Sequence, residues 1–288
     1  PRGEGSRRDP SPACGRGCRE AAGEGVRAAL VVIAILILVL FAYAQLVRRT
    51  SMFFPAKFPE GNWKTSAEEV QFKTRDGVTL HGWLYRSGDP LLIFFHGNAG
   101  NITERAPEAS EIARRGVSVL LFDWRGYGKS EGTPSESALF DDALAAYDFA
   151  RTKSDDIVLY GESLGGPYAA YVATKRTARC VIIENSFPSL AAIGNALYRP
   201  LPLGIFAPFA LTTTRWLNRA GLPVLVMHGK RDAVIPFQLG MDLYNSLHVR
   251  KELLVSETAG HCEIAAAEGE RYYDALLRFI RSTSRAST

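Results

Sequence analysis

The sequence predicts an α/β protein: a doubly wound, mostly parallel eight-stranded sheet with an antiparallel edge, preceded by one N-terminal transmembrane helix. Three observations predict it. From residue 68 onwards, short apolar runs rich in β-branched residues alternate with helical stretches, the rhythm of strand–helix–strand units. Most of those runs are apolar without interruption, as strands buried on both faces are. Ahead of them stands a 20-residue stretch, 28–47, without a single charged side chain.

Residues 1–27 carry six arginines and four acids among glycine and serine, and are predicted to be a disordered tail. Residues 28–47 read AALVVIAILILVLFAYAQLV. A helix of that length spans about 30 Å, the hydrocarbon thickness of a bilayer. Arg27 and Arg48-Arg49 bracket it, and it lacks the polar face of a core helix, so a transmembrane anchor is expected. The rival is a cleaved signal peptide: residues 30–41 have the length of an h-region and Ala42-Tyr43-Ala44 resembles a small-x-small cleavage site. Arginines directly after that site count against cleavage. More arginines precede the stretch than follow it, which favours a cytoplasmic tail and a body outside the cytoplasm.

Residues 51–288 are expected to form one domain. They hold 26 basic and 26 acidic side chains, so the body is neutral and offers a nucleic acid no electrostatic footing. Residues 69–74 and 80–85 flank Arg75-Asp76-Gly77, a hairpin signal, and form the antiparallel edge. Further strands are expected at 91–95, 118–123, 157–160, 179–184, 223–228 and 252–256, with helices at 103–115, 135–152, 164–177, 237–247 and 264–281. Cys14, Cys18, Cys180 and Cys262 have no metal-ligand spacing and make no disulfide framework.

In such a sheet, ligand-handling residues lie in loops beyond the carboxyl ends of the strands. Residues 159–166, Leu-Tyr-Gly-Glu-Ser-Leu-Gly-Gly, contain Gly-x-Ser-x-Gly at the end of a strand. Gly161 and Gly165 leave room for the strand and the following helix to converge, so Ser163 is presented at a helix N-terminus that favours negative charge. Alone, that motif also describes a tight turn with a solvated serine. The other strand ends decide between the two. The 96–101 loop, His-Gly-Asn-Ala-Gly-Asn, follows the third strand, Asp232 the seventh and His261 the eighth. Ser163, Asp232 and His261 thus supply nucleophile, acid and base in that order, unlike the orders of chymotrypsin- and subtilisin-type proteases.

Four runs carry a resemblance: residues 95–101 (FHGNAGN), 123–132 (DWRGYGKSEG), 163–166 (SLGG) and 184–187 (ENSF). Residues 69–281 resemble an α/β-hydrolase, and these runs are similar to the subfamily of α/β-hydrolase domain-containing protein 13, whose members are typically held by one N-terminal membrane helix. The resemblance implies a serine hydrolase in which Ser163 attacks a carbonyl carbon, His261 is the base and Asp232 orients the imidazole. It places the oxyanion hole at the backbone N–H groups of Leu164 and Asn98, and requires no metal or organic cofactor. Glu184, at another strand end, is a competing acid. His96 is expected to be scaffold, Asp123 and Arg125 to pair with each other beneath the site, and His81, His228 and His248 to be structural or surface residues.

A serine nucleophile implies acyl transfer to water from carboxylic esters, thioesters or activated amides. The His-x4-Asp pattern of acyltransferase-type relatives is missing after His261. Residues 187–222, where this fold places its cap, are rich in apolar side chains: Phe187, Leu190, Leu197, Tyr198, Leu201, Leu203, Ile205, Phe206, Phe209, Leu211 and Trp216. They either form an acyl pocket or simply pack the sheet. With the anchor they suggest lipid-like or acylated substrates, such as a monoacylglycerol, a lysophospholipid or an S-acylated protein. An aminopeptidase of the same fold needs an acidic pocket for the substrate amine, and 187–222 holds no acid. A catalytically silent membrane-tethered scaffold predicts a lost triad member, and none is lost.

Overall fold

The structure is a computed structural model that describes residues 26–43, 52–197 and 211–283. It falls into two compact units, divided between Arg48 and Arg49. In the first, helix α1 (Val26–Tyr43) is long and apolar enough to cross a membrane by length and composition. The expected stretch ran to Val47; residues 44–47 lie outside the described residues.

The second unit is built on eight strands: β2 (Glu68–Lys73), β3 (Thr79–Tyr85), β4 (Leu91–Phe95), β6 (Ser118–Phe122), β7 (Ile157–Glu162), β8 (Cys180–Glu184), β9 (Val224–Gly229) and β10 (Lys251–Ser256). Their order is β10-β9-β8-β7-β4-β6-β3-β2. β2–β3 and β3–β6 are antiparallel and every other pair is parallel, so the expected antiparallel edge is present. Two two-residue strands that periodicity did not suggest, β1 (Phe54–Pro55) and β5 (Ala99–Gly100), pair beside the main sheet.

Helices cover both faces. Alternate side chains of one strand serve opposite sides: Leu91, Ile93 and Phe95 pack with α3 (Ala138–Arg151), α4 (Gly165–Ala173) and α7 (Phe237–Asn245). Leu92 and Phe94 pack with α2 (Ala106–Arg114) and α9 (Glu270–Ser282). This two-sided burial is why the strands read as unbroken apolar runs. The expected 264–281 helix is two, α8 (Ile264–Glu268) and α9, because Gly269 takes φ 53° and breaks the ladder between them.

The 187–222 segment holds α5 (Leu190–Leu197) and α6 (Thr213–Ala220). Phe187, Leu211 and Leu217 are buried, and Leu190 and Trp216 pack against the same core. Trp216 meets Tyr171 at 5.5 Å and Phe140 at 5.7 Å between ring centroids. These side chains pack the domain, while Leu197 is exposed. Tyr198, Leu201, Leu203, Ile205, Phe206 and Phe209 lie outside the described residues.

Candidate active site

Strand β7 ends at Glu162 and the chain reverses into α4 through Ser163, whose φ of 52° lies in the left-handed region. A serine there costs about 1–2 kcal/mol and persists only where the surroundings impose it. They do. A Cβ on Gly165 would lie 1.8 Å from the Phe95 carbonyl oxygen, and one on Gly161 would lie 2.5 Å from the Gly166 Cα. The Ser163 N–H donates to the Glu184 carbonyl at 2.8 Å, and the Ser186 hydroxyl donates to the Ser163 carbonyl at 2.8 Å. The elbow is therefore clamped by the turn after β8.

Ser163, Asp232 and His261 come together from three strand ends. His261 Nε2 lies 3.0 Å from Ser163 Oγ, and its Nδ1 lies 2.8 Å from Asp232 Oδ2. Asp232 is anchored in turn. Its Oδ1 accepts the Val234 and Ile235 N–H groups at 2.8 Å each, and its Oδ2 accepts Asn185 Nδ2 at 2.6 Å. Burial alone would raise the Asp232 carboxyl. The His228 and His261 contacts, with the Asn185 donor, outweigh it and hold the acid below the ordinary carboxylate range. With Nδ1 donating to a carboxylate, His261 Nε2 is an acceptor aimed at the serine hydroxyl.

Asn185 had no assigned role in the sequence. It sits at φ 45°, fully buried, and donates through one amide group to both Asp232 and the Gly260 carbonyl at 3.2 Å, bracing the acid loop against the base loop. An asparagine just past a strand end, of the residue type most tolerant of left-handed backbone, was the available signal.

The 96–101 loop presents the candidate oxyanion donor. His96 Nδ1 donates to the Gly97 carbonyl at 2.9 Å, so the Asn98 N–H, trans across that peptide plane, points to the opposite side. The Asn98 carbonyl accepts the Tyr127 hydroxyl at 2.7 Å and the Phe54 N–H at 2.8 Å. The Gly97 N–H donates to Glu162 Oε1 at 3.1 Å, and Arg105 Nη1 donates to the Ala99 carbonyl at 3.3 Å. Leu164, the other expected donor, directly follows Ser163 and precedes α4. His96 is scaffold, as expected: burial, then the neighbouring Arg105 charge, lower it to about 4, so it is neutral at physiological pH.

Glu184 does not compete for the histidine. Its carboxyl turns to the α2–α9 face, against the Tyr160 hydroxyl, which lies 3.2 Å from Glu108 Oε1 and 2.9 Å from the Tyr272 hydroxyl. Burial first, then the Glu108 charge, push Glu184 well above the ordinary range; burial chiefly pushes Glu108 to about 7. Glu162, equally buried, goes the other way because Arg105 Nη2 lies 2.8 Å from its Oε1 and outweighs the burial cost. The Cys262 thiol is driven well up by burial and by the Glu162 and Glu184 charges, so it is no thiolate rival to the serine.

The expected Asp123–Arg125 pair does not form. Arg125 reaches Asp142 at 2.7 Å and Asp76 at 2.8 Å, while Asp123 caps the Ile102 N–H at 3.0 Å and meets His81 at 3.3 Å. Two residues apart where a strand runs out, the two side chains diverge to different neighbours. His81 and His228 are fully buried and structural; His228 Nε2 donates to the Ile235 carbonyl at 3.0 Å.

A cavity of about 290 Å³ opens beside His261. The 97–99 loop, Glu104 and Arg105 just before α2, Glu108 in its first turn, and Glu162 and Cys262 line it.

Comparison with known proteins finds the same fold. The family model of the alpha/beta hydrolase fold matches residues 90–202. The chain is 33% identical over 272 residues to the uncharacterized protein Rv2307c of Mycobacterium tuberculosis, covering 89% of this chain and 96% of that one. It is 31% identical over 216 residues to protein bem46 of Schizosaccharomyces pombe, covering 65% and 70%. Among solved structures, the esterase Pf2001 of Pyrococcus furiosus superposes with a TM-score of 0.65 at 22% identity, over 81% of this chain and 98% of that one. An eight-stranded sheet in this order, a left-handed serine at the β7–α4 elbow and relatives matched over most of their length lead to one conclusion: the chain belongs to the α/β-hydrolase family.

Proposed function

We propose that the protein is a serine hydrolase that cleaves carboxylic esters or thioesters through an acyl-enzyme intermediate. The observation that carries this reading is the unbroken relay from Ser163 Oγ through His261 to Asp232, at 3.0 and 2.8 Å, on a strained serine. In this reading His261 Nε2 takes the serine proton as Oγ attacks the carbonyl carbon, and Asp232 stabilises the imidazolium. The amides of Leu164 and Asn98 receive the oxyanion, each donor contributing about 10² to 10³ in rate. His261 then passes its proton to the leaving group, and water repeats the cycle on the acyl-serine. Structural neighbours described as esterases, Pf2001 of Pyrococcus furiosus and the esterase of Exiguobacterium antarcticum, support the ester class as analogues of fold.

In the same proposal α1 is a single-pass membrane anchor, and the substrates are lipid-like or acylated, an S-acylated protein among them. The apolar length of Val26–Tyr43 supports the anchor, and the apolar sequence of 187–222 beyond the side chains that pack the core supports the lipid-like class. The test is covalent labelling with a fluorescent fluorophosphonate, wild type beside Ser163→Ala, followed by p-nitrophenyl esters of increasing chain length. Labelling of the wild type alone and turnover rising beyond acetate are expected. An intact, folded wild type that takes no label would overturn the reading, and strict preference for acetate would remove the lipid part.

A further inference from the structure

We propose that the cavity beside His261 holds the leaving group of the substrate, and that it selects a hydroxylated or positively charged alcohol or thiol over an anionic one. This rests on the serine-hydrolase reading above and names the half of the substrate that the cap does not address.

The location follows from the chemistry. The proton that His261 Nε2 takes from Ser163 must be delivered to the departing oxygen or sulfur, so that atom and its substituents lie against the imidazole. Both His261 and the loop bearing the Asn98 amide line the cavity. A group leaving from a carbonyl whose oxygen faces Asn98 and whose proton comes from His261 enters this space.

The selectivity follows from the lining, where acceptors outnumber donors. Four of the five Arg105 N–H groups are already committed. Nε and Nη2 bind Glu162 at 3.2 and 2.8 Å, and Nη1 binds the Ala99 carbonyl and Glu104. Both described hydrogen bonds to Glu108, from Tyr272 and Tyr160, fall on Oε1. Glu104 stands at the rim, its side chain 58% exposed. Three carboxyl groups therefore face one paired cation. An incoming anion would meet like charge and find a single uncommitted guanidinium N–H, on Nη2, whereas hydroxyl or ammonium groups would meet waiting carboxyl oxygens. Burial keeps Glu108 near neutral-pH titration, at about 7, among Tyr160, Glu162, Glu184, Arg105 and Tyr272; a bound cation would draw its proton off.

The experiment uses the full-length protein and four esters of one acyl group: n-propyl, 2,3-dihydroxypropyl, 2-(trimethylammonio)ethyl and 2-carboxyethyl. Fluorophosphonate titration of Ser163 counts competent sites in every sample. The dihydroxypropyl and trimethylammonioethyl esters are expected to exceed the carboxyethyl ester at least tenfold in kcat/KM. Glu104→Lys, at the exposed rim, is expected to shrink that ratio at least tenfold, and Glu104→Gln by less. Equal kcat/KM across the series, or a carboxyethyl ester that is the fastest, would overturn the inference while labelling at Ser163 left the hydrolase reading standing. No turnover together with no labelling would remove both.

Discussion

Replacing Asn185 by alanine should destabilise the protein more than most active-site changes. The Asn185 amide donates to the Asp232 carboxylate at 2.6 Å in a fully buried position. A hydrogen bond to a charged group contributes about 1.5–3 kcal/mol. Alanine must also adopt φ 45°, which costs it about 1 kcal/mol more than asparagine. Together these give a loss of about 2.5–4 kcal/mol. In a domain of this size each kcal/mol moves the midpoint by about 2–4 °C, so thermal unfolding should begin roughly 10 °C lower. Asn185→Gly separates the two contributions: it relieves the backbone and should recover about 1 kcal/mol while still lacking the donor. Activity should fall less than in Asp232→Asn, because Val234 and Ile235 still hold the carboxylate. Differential scanning calorimetry at pH 7 checks the order wild type, Gly, Ala. An alanine variant within 1 kcal/mol of wild type, or a glycine variant less stable than alanine, would refute the argument.

Ser163→Gly should be more stable than Ser163→Ala by about 1 kcal/mol in chemical denaturation, reversing the usual order, because only glycine is at ease at φ 52°. Gly165→Ala should lose at least 3 kcal/mol, or fail to accumulate as soluble protein, since its Cβ would sit 1.8 Å from the Phe95 carbonyl oxygen, a backbone atom. His96 is lowered to about 4 when folded against an ordinary 6.5, so between those values the unfolded chain binds the extra proton. Its contribution is complete above pH 6.5 and is lost as pH falls towards 4, about 3 kcal/mol at the limit; His96→Gln should flatten that part of a denaturant-midpoint profile. Glu108 has the opposite sign: its folded value of about 7 lies above the ordinary carboxyl value, so its stabilisation is present at low pH and is lost as pH rises towards 7. Glu108→Gln should therefore steepen the rise of stability with pH over the interval where the two overlap.

The strands and the three residues of the relay were legible because each carries a local signature. Apolar runs mark strands buried on both faces, Ser163 directly follows a strand end, and Asp232 and His261 lie in the loops just beyond theirs. What escaped was set by partners distant in sequence. Gly269 looks like one tolerable glycine in a helical pattern, and only its φ of 53° shows that α8 and α9 are separate. Asp123 and Arg125 are expected to pair, yet the partners of Arg125, Asp76 and Asp142, come from a turn and a helix on either side of it in sequence. The acid-bearing cavity has no counterpart in the 187–222 segment, which holds no acid. Its carboxyl groups come instead from the start of α2 and the end of β7, brought to His261 by strand order rather than by any run of sequence.

That dependence on distant partners also explains why four polar runs occur together in this chain. The 95–101 run supplies the loop that would face an oxyanion, but it does not fix its own shape. Tyr127 and Trp124 of the 123–132 run hold the Asn98 carbonyl at 2.7 Å and the His96 carbonyl at 3.0 Å. Glu162, next to Ser163, holds the Gly97 N–H, and Ser186 and Asn185 of the 184–187 run hold the serine elbow and Asp232. A preorganised oxyanion donor is effective only if it need not reorient as charge develops. Each run is therefore the restraint on another, and a substitution in any of them should reach the serine through a hydrogen bond rather than through the sheet. The buried Glu162–Arg105 pair is the most exposed to that logic. Removing Arg105 leaves a carboxylate stranded beside the loop, a loss of about 3–5 kcal/mol for a broken buried pair, and frees the Ala99 carbonyl at the same stroke.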